Sequence, residues 1–183
     1  MKLSVQMLGA LESNSLAKQL YQTAFPKEEQ LSWWLLRLLT IQKDVNFNCY
    51  YEGDQLCGFT YTVQDGKILF VMFLAVRADL RSKGYGSAIL SKLKQDHPEC
   101  QIVLNVEPII DTAENLQERI ARMHFYEKNG FFDTGYNIDE VGGTFRVLST
   151  CQTVDADAYL RVFQKMSFGL WKPKMTKIDD VKQ

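Results

Sequence analysis

The sequence predicts an α/β (α+β) fold in which helices flank one mixed central β-sheet of about six to seven strands. Aromatic and β-branched stretches such as FNCYYEG and QLCGFTYTVQ alternate along the chain with segments whose apolar residues recur at helical spacing. The run ILFVMFLAV, residues 68–76, is apolar on both faces, which is typical of a central strand covered on both sides. With 183 residues, 46% of them hydrophobic, the chain can bury one sizeable core.

The N-terminal part predicts a short strand in KLSVQML, followed by two helices. The first helix covers the region Leu11–Phe25 and ends at Pro26, whose ring cannot sit in a helix interior. The second runs from about Lys27 to Ile41, and we expect both of its tryptophans to be buried. The apolar face of this second helix is predicted to contain Leu31, Trp34, Leu35 and Leu38.

The middle of the chain predicts a three-stranded meander with tight turns at EGDQ and QDGK. A helix with Ala88, Ile89, Leu90 and Leu93 in its core face follows, and then QIVLNVEP forms a second buried strand. A helical crossover joins this strand to residues 68–76, so we expect the two strands to be parallel.

The next helix is predicted to be capped by Asp111 or Thr112 and to end at Gly130. FFDTGYNI and GTFRVLST predict two closing strands. VDADAYLRVFQKM predicts a last helix, and WKPKMTKIDDVKQ a polar tail. We therefore expect one domain over residues 1–150, with a C-terminal helix and tail over 151–183 that packs on it or trails from it.

Composition excludes several classes of function. The net charge of −1 disfavours a nucleic-acid binder. The N-terminus lacks the apolar core of a signal peptide, and no segment approaches the run of about 20 apolar residues that spans a membrane. The four cysteines are widely spaced without a CxxC pair, so we expect small buried thiols, no metal site and a cytoplasmic location.

The loop RSKGYGS, residues 81–87, follows the buried strand 68–76 directly. Two glycines let the backbone approach a ligand closely, and the helix that begins there points unpaired N–H groups into the loop. Arg81 and Lys83 add positive charge and Ser87 adds a hydroxyl, which together suit a pyrophosphate. A simple strand-to-helix turn is the alternative, because the loop is neither a GxxxxGK[ST] phosphate loop nor a full GxGxxG.

The surrounding stretch LAVRADLRSKGYGSAIL resembles the acyl-CoA-binding motif of the GNAT acetyltransferase superfamily, [RQ]-x-x-G-x-[GA], with Arg81, Gly84 and Gly86 at the defining positions. Downstream, RMHFYEKNGF resembles the late helix of the same superfamily, and the resemblance extends from about Phe47 to Leu148. It implies a GNAT fold and acetyl-CoA as co-substrate. The pyrophosphate would be bound by Arg81, Ser82, Lys83, Gly84, Tyr85, Gly86 and Ser87.

The resemblance also implies roles outside the loop. The backbone of Leu74, Ala75 and Val76 would pair with the pantetheine arm, and an N–H there would polarise the thioester carbonyl. Tyr126 matches the tyrosine that protonates the departing thiolate in many relatives, although a packed core tyrosine is the alternative. The late helix carries R-x-x-R-x-x-F-Y where the common pattern is N-x-x-A-x-x-[LF]-Y, so an asparagine contact to coenzyme A is not implied.

The acceptor side is less defined. Glu107 ends a buried strand, where partial burial is expected to raise its pKa, so it is predicted to handle the amine proton; an ammonium anchor or a surface carboxylate are the alternatives. His97 and His124 are placed poorly for that task. Arg122, four residues before Tyr126, could lower the pKa of the tyrosine, hold an acidic group of the substrate or form a salt bridge with Glu107. Glu29 is the candidate for recognising a cationic amine.

These observations predict an N-acetyltransferase that moves an acetyl group from acetyl-CoA to a primary amine by direct attack. The alternative is an acyl-CoA-binding module without transferase activity. The sequence leaves the acceptor unnamed, and it leaves monomer and homodimer both open.

Overall fold

Five α-helices and eight β-strands make up most of residues 2–178, which the computed structural model describes. The strands are β1 Ser4–Met7, β2 Val45–Glu52, β3 Gln55–Asp65, β4 Ile68–Val76, β5 Gln101–Val106, β6 Phe132–Glu140, β7 Gly143–Ser149 and β8 Lys174–Lys177. The helices are α1 Ser15–Ala24, α2 Trp33–Leu39, α3 Tyr85–Asp96, α4 Leu116–Lys128 and α5 Ala156–Met166. Two short 3-10 helices lie at Lys27–Glu29 and Ala78–Leu80.

The strands form one sheet in the order β1-β2-β3-β4-β5-β7-β6-β8. The predicted fold class is therefore confirmed, with eight strands instead of six to seven. The chain divides into two compact units: unit 1 takes Met1–Gln64 and Val71–Pro98, and unit 2 takes Asp65–Phe70 and Glu99–Gln183. The predicted boundary at residue 150 and the parallel pairing of β4 with β5 stay predictions.

Unit 1 is built around an aromatic core on one face of the antiparallel pair β2–β3. Phe47 of β2 stacks on Phe59 of β3 with ring centroids 4.8 Å apart, and Tyr21 of α1 meets Phe59 edge-on. The hydroxyl of Tyr61 donates to the Leu36 carbonyl oxygen at 2.9 Å, which ties α2 to the sheet. The predicted hairpin turn at EGDQ, between β2 and β3, is confirmed and contains left-handed Gly53.

The second helix differs from the prediction. Only Trp33–Leu39 is α-helical, and the buried face is formed by Leu36 and Leu39. Trp34 is 66% exposed and Leu38 46% exposed, so the predicted face and the burial of this tryptophan are wrong. The reason is that LSWWLLRLL is apolar at nearly every position, so its periodicity has no contrast and only packing against β3 selects the inner face.

Unit 2 contains the antiparallel order β5-β7-β6-β8. Helix α5 covers one face, where Phe70 packs on Tyr159 and Phe163. The C-terminal segment is not only a polar tail, because Lys174–Lys177 pairs with β6 as an edge strand. Backbone pairing needs no apolar side chains, which is why the composition of this segment did not reveal it. The rest of the predicted tail, residues 179–183, lies outside the described residues.

Helix α4 begins later than predicted. Asn115 precedes its first turn, whereas Asp111 and Thr112 lie in a preceding turn and do not cap it. The helix ends as predicted at left-handed Gly130. The Asn115 side chain is used elsewhere, since its amide donates to the Glu107 carboxylate at 3.2 Å.

All four cysteines are thiols outside any disulfide, as predicted. Cys49 and Cys57 are buried, but Cys151 is exposed and Cys100 is partly exposed, so the expectation of buried thiols holds for two of them. Within the described part of the chain, every helix is too short or too polar to cross a bilayer. The cytoplasmic location stays a prediction.

Candidate functional site

The loop between the Ala78–Leu80 turn and α3 has the backbone of an anion-binding site. Gly84 is left-handed with φ +88° and forms the N-cap of α3 without a side-chain cap, so the first N–H groups of a 12-residue helix keep no helical partner. Ser82 is also left-handed, with φ +60°. Arg81, Ser82, Lys83 and Gly84 are exposed.

The two positive charges of this loop are not paired with acidic side chains of the described chain. Neither Arg81 nor Lys83 has an ion-pair partner among residues 2–178. A Cβ built on Gly84 would meet no atom within 4 Å, so open space surrounds the residue. The dipole of α3 and the two cations therefore act together on whatever anion enters this space.

The side chain of Tyr85 is buried, so only its backbone is available to a ligand at the loop. Its ring is buried with Cys57 and Leu80, and its hydroxyl donates to Glu52 Oε2 at 2.5 Å. The side chain thus anchors the start of α3 to the interior of unit 1 and leaves the Tyr85 N–H at the helix end. Gly86 and Ser87 complete the first turn and are half-buried.

Gly58 was missed by sequence reasoning, although it supports both halves of the predicted coenzyme region in unit 1. A Cβ on Gly58 would lie 2.4 Å from the Ala75 carbonyl oxygen and 2.9 Å from Ile89 Cδ1. Only a glycine therefore lets the end of β4 and helix α3 approach β3 this closely. The available signal was a lone glycine inside the aromatic strand QLCGFTYTVQ. Leu74 and Val76, on either side of Ala75, are half-buried.

In unit 2, Glu107 is the centre of a closed ion cluster. Arg119 Nη2 lies 2.9 Å from Glu107 Oε1, and Arg122 Nη1 lies 2.6 Å from Oε2. Arg119 also donates to the Pro108 carbonyl oxygen and to Asn115 Oδ1. A carboxylate offers about four acceptor positions, so few remain for a substrate.

The pKa expectation for Glu107 is wrong in direction. Partial burial, the largest influence, raises the pKa of this carboxyl. Hydrogen bonds from Asn115 and Arg122, with the charges of Arg122 and Arg119, outweigh burial, and the pKa is lowered. Glu107 is thus held as a carboxylate, which makes it a weaker base than the sequence suggested. Arg122 forms the salt bridge that was one of the three alternatives for it.

Tyr126 lies in the last half of α4 and is buried. Burial raises the pKa of its hydroxyl to about 12, and the positive charge of Arg122 partly opposes this. The predicted effect of Arg122 on the tyrosine is therefore confirmed in direction and is outweighed by desolvation. At neutral pH the hydroxyl keeps its proton and can donate it.

The remaining candidates lie elsewhere. Glu29 is half-buried at the end of the Lys27–Glu29 turn in unit 1. His124 is exposed on α4, two residues from buried Tyr126, and His97 follows the last residue of α3. The expectation that neither histidine is the base stays a prediction.

Comparison with known proteins adds a family to this geometry. Residues 43–132 match the family model described as an acetyltransferase (GNAT) domain, a range that contains the loop, Glu107 and Tyr126. A sequence search of curated proteins gives no match.

Solved structures show the same fold. A Bacteroides thetaiotaomicron protein assigned to the GNAT family of acetyltransferases is 21% identical with a TM-score of 0.71, covering 92% of this chain and 99% of its own. The ribosomal-protein-S18-alanine N-acetyltransferase of Escherichia coli is 17% identical with a TM-score of 0.60, covering 84% and 96%. A Bacillus subtilis acetyltransferase in complex with CoA is 16% identical with a TM-score of 0.58, covering 81% and 97%.

At these identities the structural likeness carries the fold alone, whereas the family model matches the sequence itself over the loop and the late helix. The two findings agree with each other and with the motifs at Arg81–Gly86 and Phe125–Tyr126. The chain carries a GNAT acetyltransferase domain over residues 43–132.

Proposed function

We propose that the protein is an N-acetyltransferase that transfers an acetyl group from acetyl-CoA to a primary amine. The observation that carries the proposal is the loop Arg81–Ser87, where a left-handed glycine opens a long helix and two cations are unpaired among the described residues. Solved relatives with CoA or acetyl-CoA bound support this choice of co-substrate.

The residues of the loop fit a pyrophosphate. The first N–H groups of α3 are donors without a helical acceptor, and Gly84 leaves space for phosphate oxygens at their tip. Arg81 and Lys83 would neutralise the charge, and Ser87 would add a hydroxyl donor. The backbone of Leu74, Ala75 and Val76 is proposed to bind the pantetheine arm, and a backbone N–H there to polarise the thioester carbonyl.

Acetyl-CoA, when bound, supplies the acetyl group as a thioester. Tyr126 is proposed as the general acid, because burial keeps its hydroxyl protonated and able to meet the thiolate that leaves. Direct attack by the amine on the thioester needs no covalent acyl-enzyme, so no nucleophilic side chain is assigned to the reaction.

The amine must lose a proton before it attacks. Glu107 remains the proposed partner of that amine, and its lowered pKa favours holding the ammonium by charge over abstracting the proton as a strong base. The proton would then leave through solvent. Glu29 and Arg122 stay proposed as substrate contacts, Glu29 for a cationic amine and Arg122 through its ion pair with Glu107.

The test is a free-thiol release assay with acetyl-CoA across a panel of primary amines, run beside a thermal-shift titration with acetyl-CoA alone. We expect stabilisation by acetyl-CoA and thiol release with at least one class of amine. Stabilisation without release across a broad panel would favour the acyl-CoA-binding module. If acetyl-CoA causes no stabilisation and no thiol is released, both functions are contradicted.

A further inference from the structure

Another arginine in unit 2, in strand β7, has an incomplete set of partners. Arg146 lies in β7, and its register partners are Val106 at the end of β5 and Asn137 in β6. It forms a long ion pair with Asp133, whose Oδ2 is 3.4 Å from Arg146 Nε. The side chain of Arg146 is 23% exposed, whereas that of Asp133 is 44% exposed, so the carboxylate is largely solvated.

The buried atoms around Arg146 are incomplete. Arg146 Nη1, a donor, is buried and has no hydrogen-bond partner. Asn137 Oδ1, an acceptor on the directly opposite residue, is buried and unpartnered as well. Native proteins leave few buried polar atoms unpaired, because each one costs the free energy of its lost hydration. A donor and an acceptor on directly opposite residues are thus both left without a partner by the described chain, beside an arginine side chain that is still partly exposed.

An irregularity in β6 places these groups together. The register of β6 against β7 shifts between Asp133 and Asn137, where left-handed Gly135 donates its N–H to Asp133 Oδ1 at 2.9 Å. The shift makes Asn137, in place of residue 135, the direct register partner of Arg146. Strand irregularities of this kind commonly re-aim side chains next to functional sites.

The opposite face of the same strands has unpartnered polar atoms too, but they differ from those at Arg146 and Asn137 in their access to solvent. There, Tyr159 Oη and Asn105 Oδ1 are also buried without a partner. Tyr159 is 0% exposed, so no solute can reach it without unfolding. Arg146 keeps contact with solvent, and a small anion can approach it from outside.

We propose that Arg146 and Asn137 bind a carboxylate-bearing acceptor, so that the amine substrate is an amino acid or a similar amino-carboxylate. The guanidinium would take the carboxylate, for which its planar pair of N–H groups is suited, and Asn137 Oδ1 would accept from a neighbouring N–H of the same molecule. Val106, the register partner of Arg146, immediately precedes Glu107, so the proposed carboxylate site and the residue proposed to hold the ammonium are both placed at the same end of β5. This inference rests on the proposed function for its acceptor role.

The first experiment compares matched amines that differ only by the carboxylate: lysine with cadaverine, phenylalanine with phenethylamine and tryptophan with tryptamine. For at least one pair, we expect kcat/KM to be roughly 10- to 100-fold higher for the amino acid, the range of a charged hydrogen bond in a partly buried site. Equal or better turnover of the decarboxylated member in all pairs would overturn the proposal.

Two variants with opposite expected effects on KM test whether the carboxylate binds at Arg146. Arg146→Gln should raise KM for the amino acid by roughly 10- to 100-fold and leave the decarboxylated amine unchanged. Asp133→Asn keeps the oxygen that accepts from Gly135 and removes the competing charge, so KM for the amino acid should fall by about two- to fivefold. Arg161→Gln, which removes an exposed arginine paired with Asp65, is the control and should change neither.

Ligand binding without turnover separates this inference from the proposed function. In a thermal-shift titration without acetyl-CoA, the amino acid should stabilise the wild type, and Arg146→Gln should abolish that shift. If thiol release fails for every amine but this pattern appears, the transferase function is wrong and the carboxylate site stands. If no amino acid shifts the melting temperature of the wild type, or the shift survives in Arg146→Gln, the carboxylate site is wrong whatever the activity.

Discussion

The loop Arg81–Ser87 in unit 1 and the Glu107 cluster in unit 2 both concentrate charge, but they use it differently. In the loop, two cations and the first N–H groups of α3 have no partners within the described chain. In the cluster, Arg119 and Arg122 are both bound to Glu107, and Asn115 fills a further acceptor position. An open set of charges can gain free energy by binding a ligand, whereas a closed set has already gained it by folding.

This difference has a consequence for catalysis. Because Glu107 is held as a carboxylate by its ion pairs, we propose that the proton for the leaving thiolate comes from a group outside those pairs. Tyr126 is the proposed group, since burial raises the pKa of its hydroxyl to about 12 and keeps it protonated. The largest effect among the following variants is therefore expected at Tyr126 and the smallest at Glu107.

Replacing Tyr126 with phenylalanine removes the proposed general acid and keeps the ring. We expect kcat to fall by about 100-fold or more while the affinity for acetyl-CoA is retained, the usual scale for one proton-transfer group. Steady-state thiol release and a thermal-shift titration measure the two quantities. Tyr159→Phe, which removes another buried hydroxyl in unit 2, is the control and should leave kcat unchanged. Wild-type turnover in the Tyr126→Phe variant would reduce Tyr126 to a packing residue.

Gly84→Asp tests the open set of charges. The carboxylate would stand where phosphate oxygens are proposed to bind, so the stabilisation by acetyl-CoA, about 2.7 kcal/mol at 100 times the dissociation constant, should disappear. Gly53→Asp is a close match, because Gly53 is also left-handed with no atom within 4 Å of its Cβ position. The two variants should lose similar intrinsic stability and differ only in the ligand-induced shift. If both retain that shift, the loop does not bind the coenzyme.

How far the sequence predicts these features depends on how local their causes are. Strand β4 matches its predicted bounds and α3 follows its predicted apolar face, because an unbroken apolar run and a regular 3.6-residue period are both local signals. The face of α2 was wrong because an almost wholly apolar segment has no such contrast. The predicted direction of the Glu107 pKa shift was wrong because burial is outweighed by Asn115 and Arg122, which lie 8 and 15 residues away along the chain. Arg146 went unnoticed because its missing partners are visible only once β6 and β7 are in register.

Gly58→Ala tests whether the open loop depends on the packing beneath it. The new Cβ would meet the Ala75 carbonyl oxygen at 2.4 Å, so the end of β4 must move, at a cost of about 1–3 kcal/mol in the free energy of unfolding. Chemical denaturation measures this cost, and acetyl-CoA affinity should weaken in the same variant because Ala75 is in the proposed pantetheine-binding stretch. Gly9→Ala, whose Cβ would meet nothing closer than 3.9 Å, is the control and should be near neutral. Unchanged stability in Gly58→Ala would show that β4 yields freely there.

Glu107→Gln tests the ion cluster around Glu107, and its main expected effect is on the free energy of unfolding. Removing the charge unpairs two arginines, which should cost about 1–2 kcal/mol at neutral pH, between the values for exposed and for buried ion pairs. The folded pKa of Glu107 lies below its ordinary value of 4.5, so the contribution is fully present above that value. It declines as the pH falls from there through the lower folded pKa. The stabilities of the wild type and the variant should therefore converge in acid, as followed by urea denaturation at a series of pH values. Glu118→Gln, an exposed carboxylate in the first turn of α4, is the control and should show no comparable difference. Kinetics on the same variant distinguish the remaining roles: an ammonium anchor raises KM for the amine with kcat largely kept, and a base lowers kcat near neutral pH with recovery as the pH rises. A stability difference that persists below the carboxyl range, or none at any pH, would contradict the closed ion cluster.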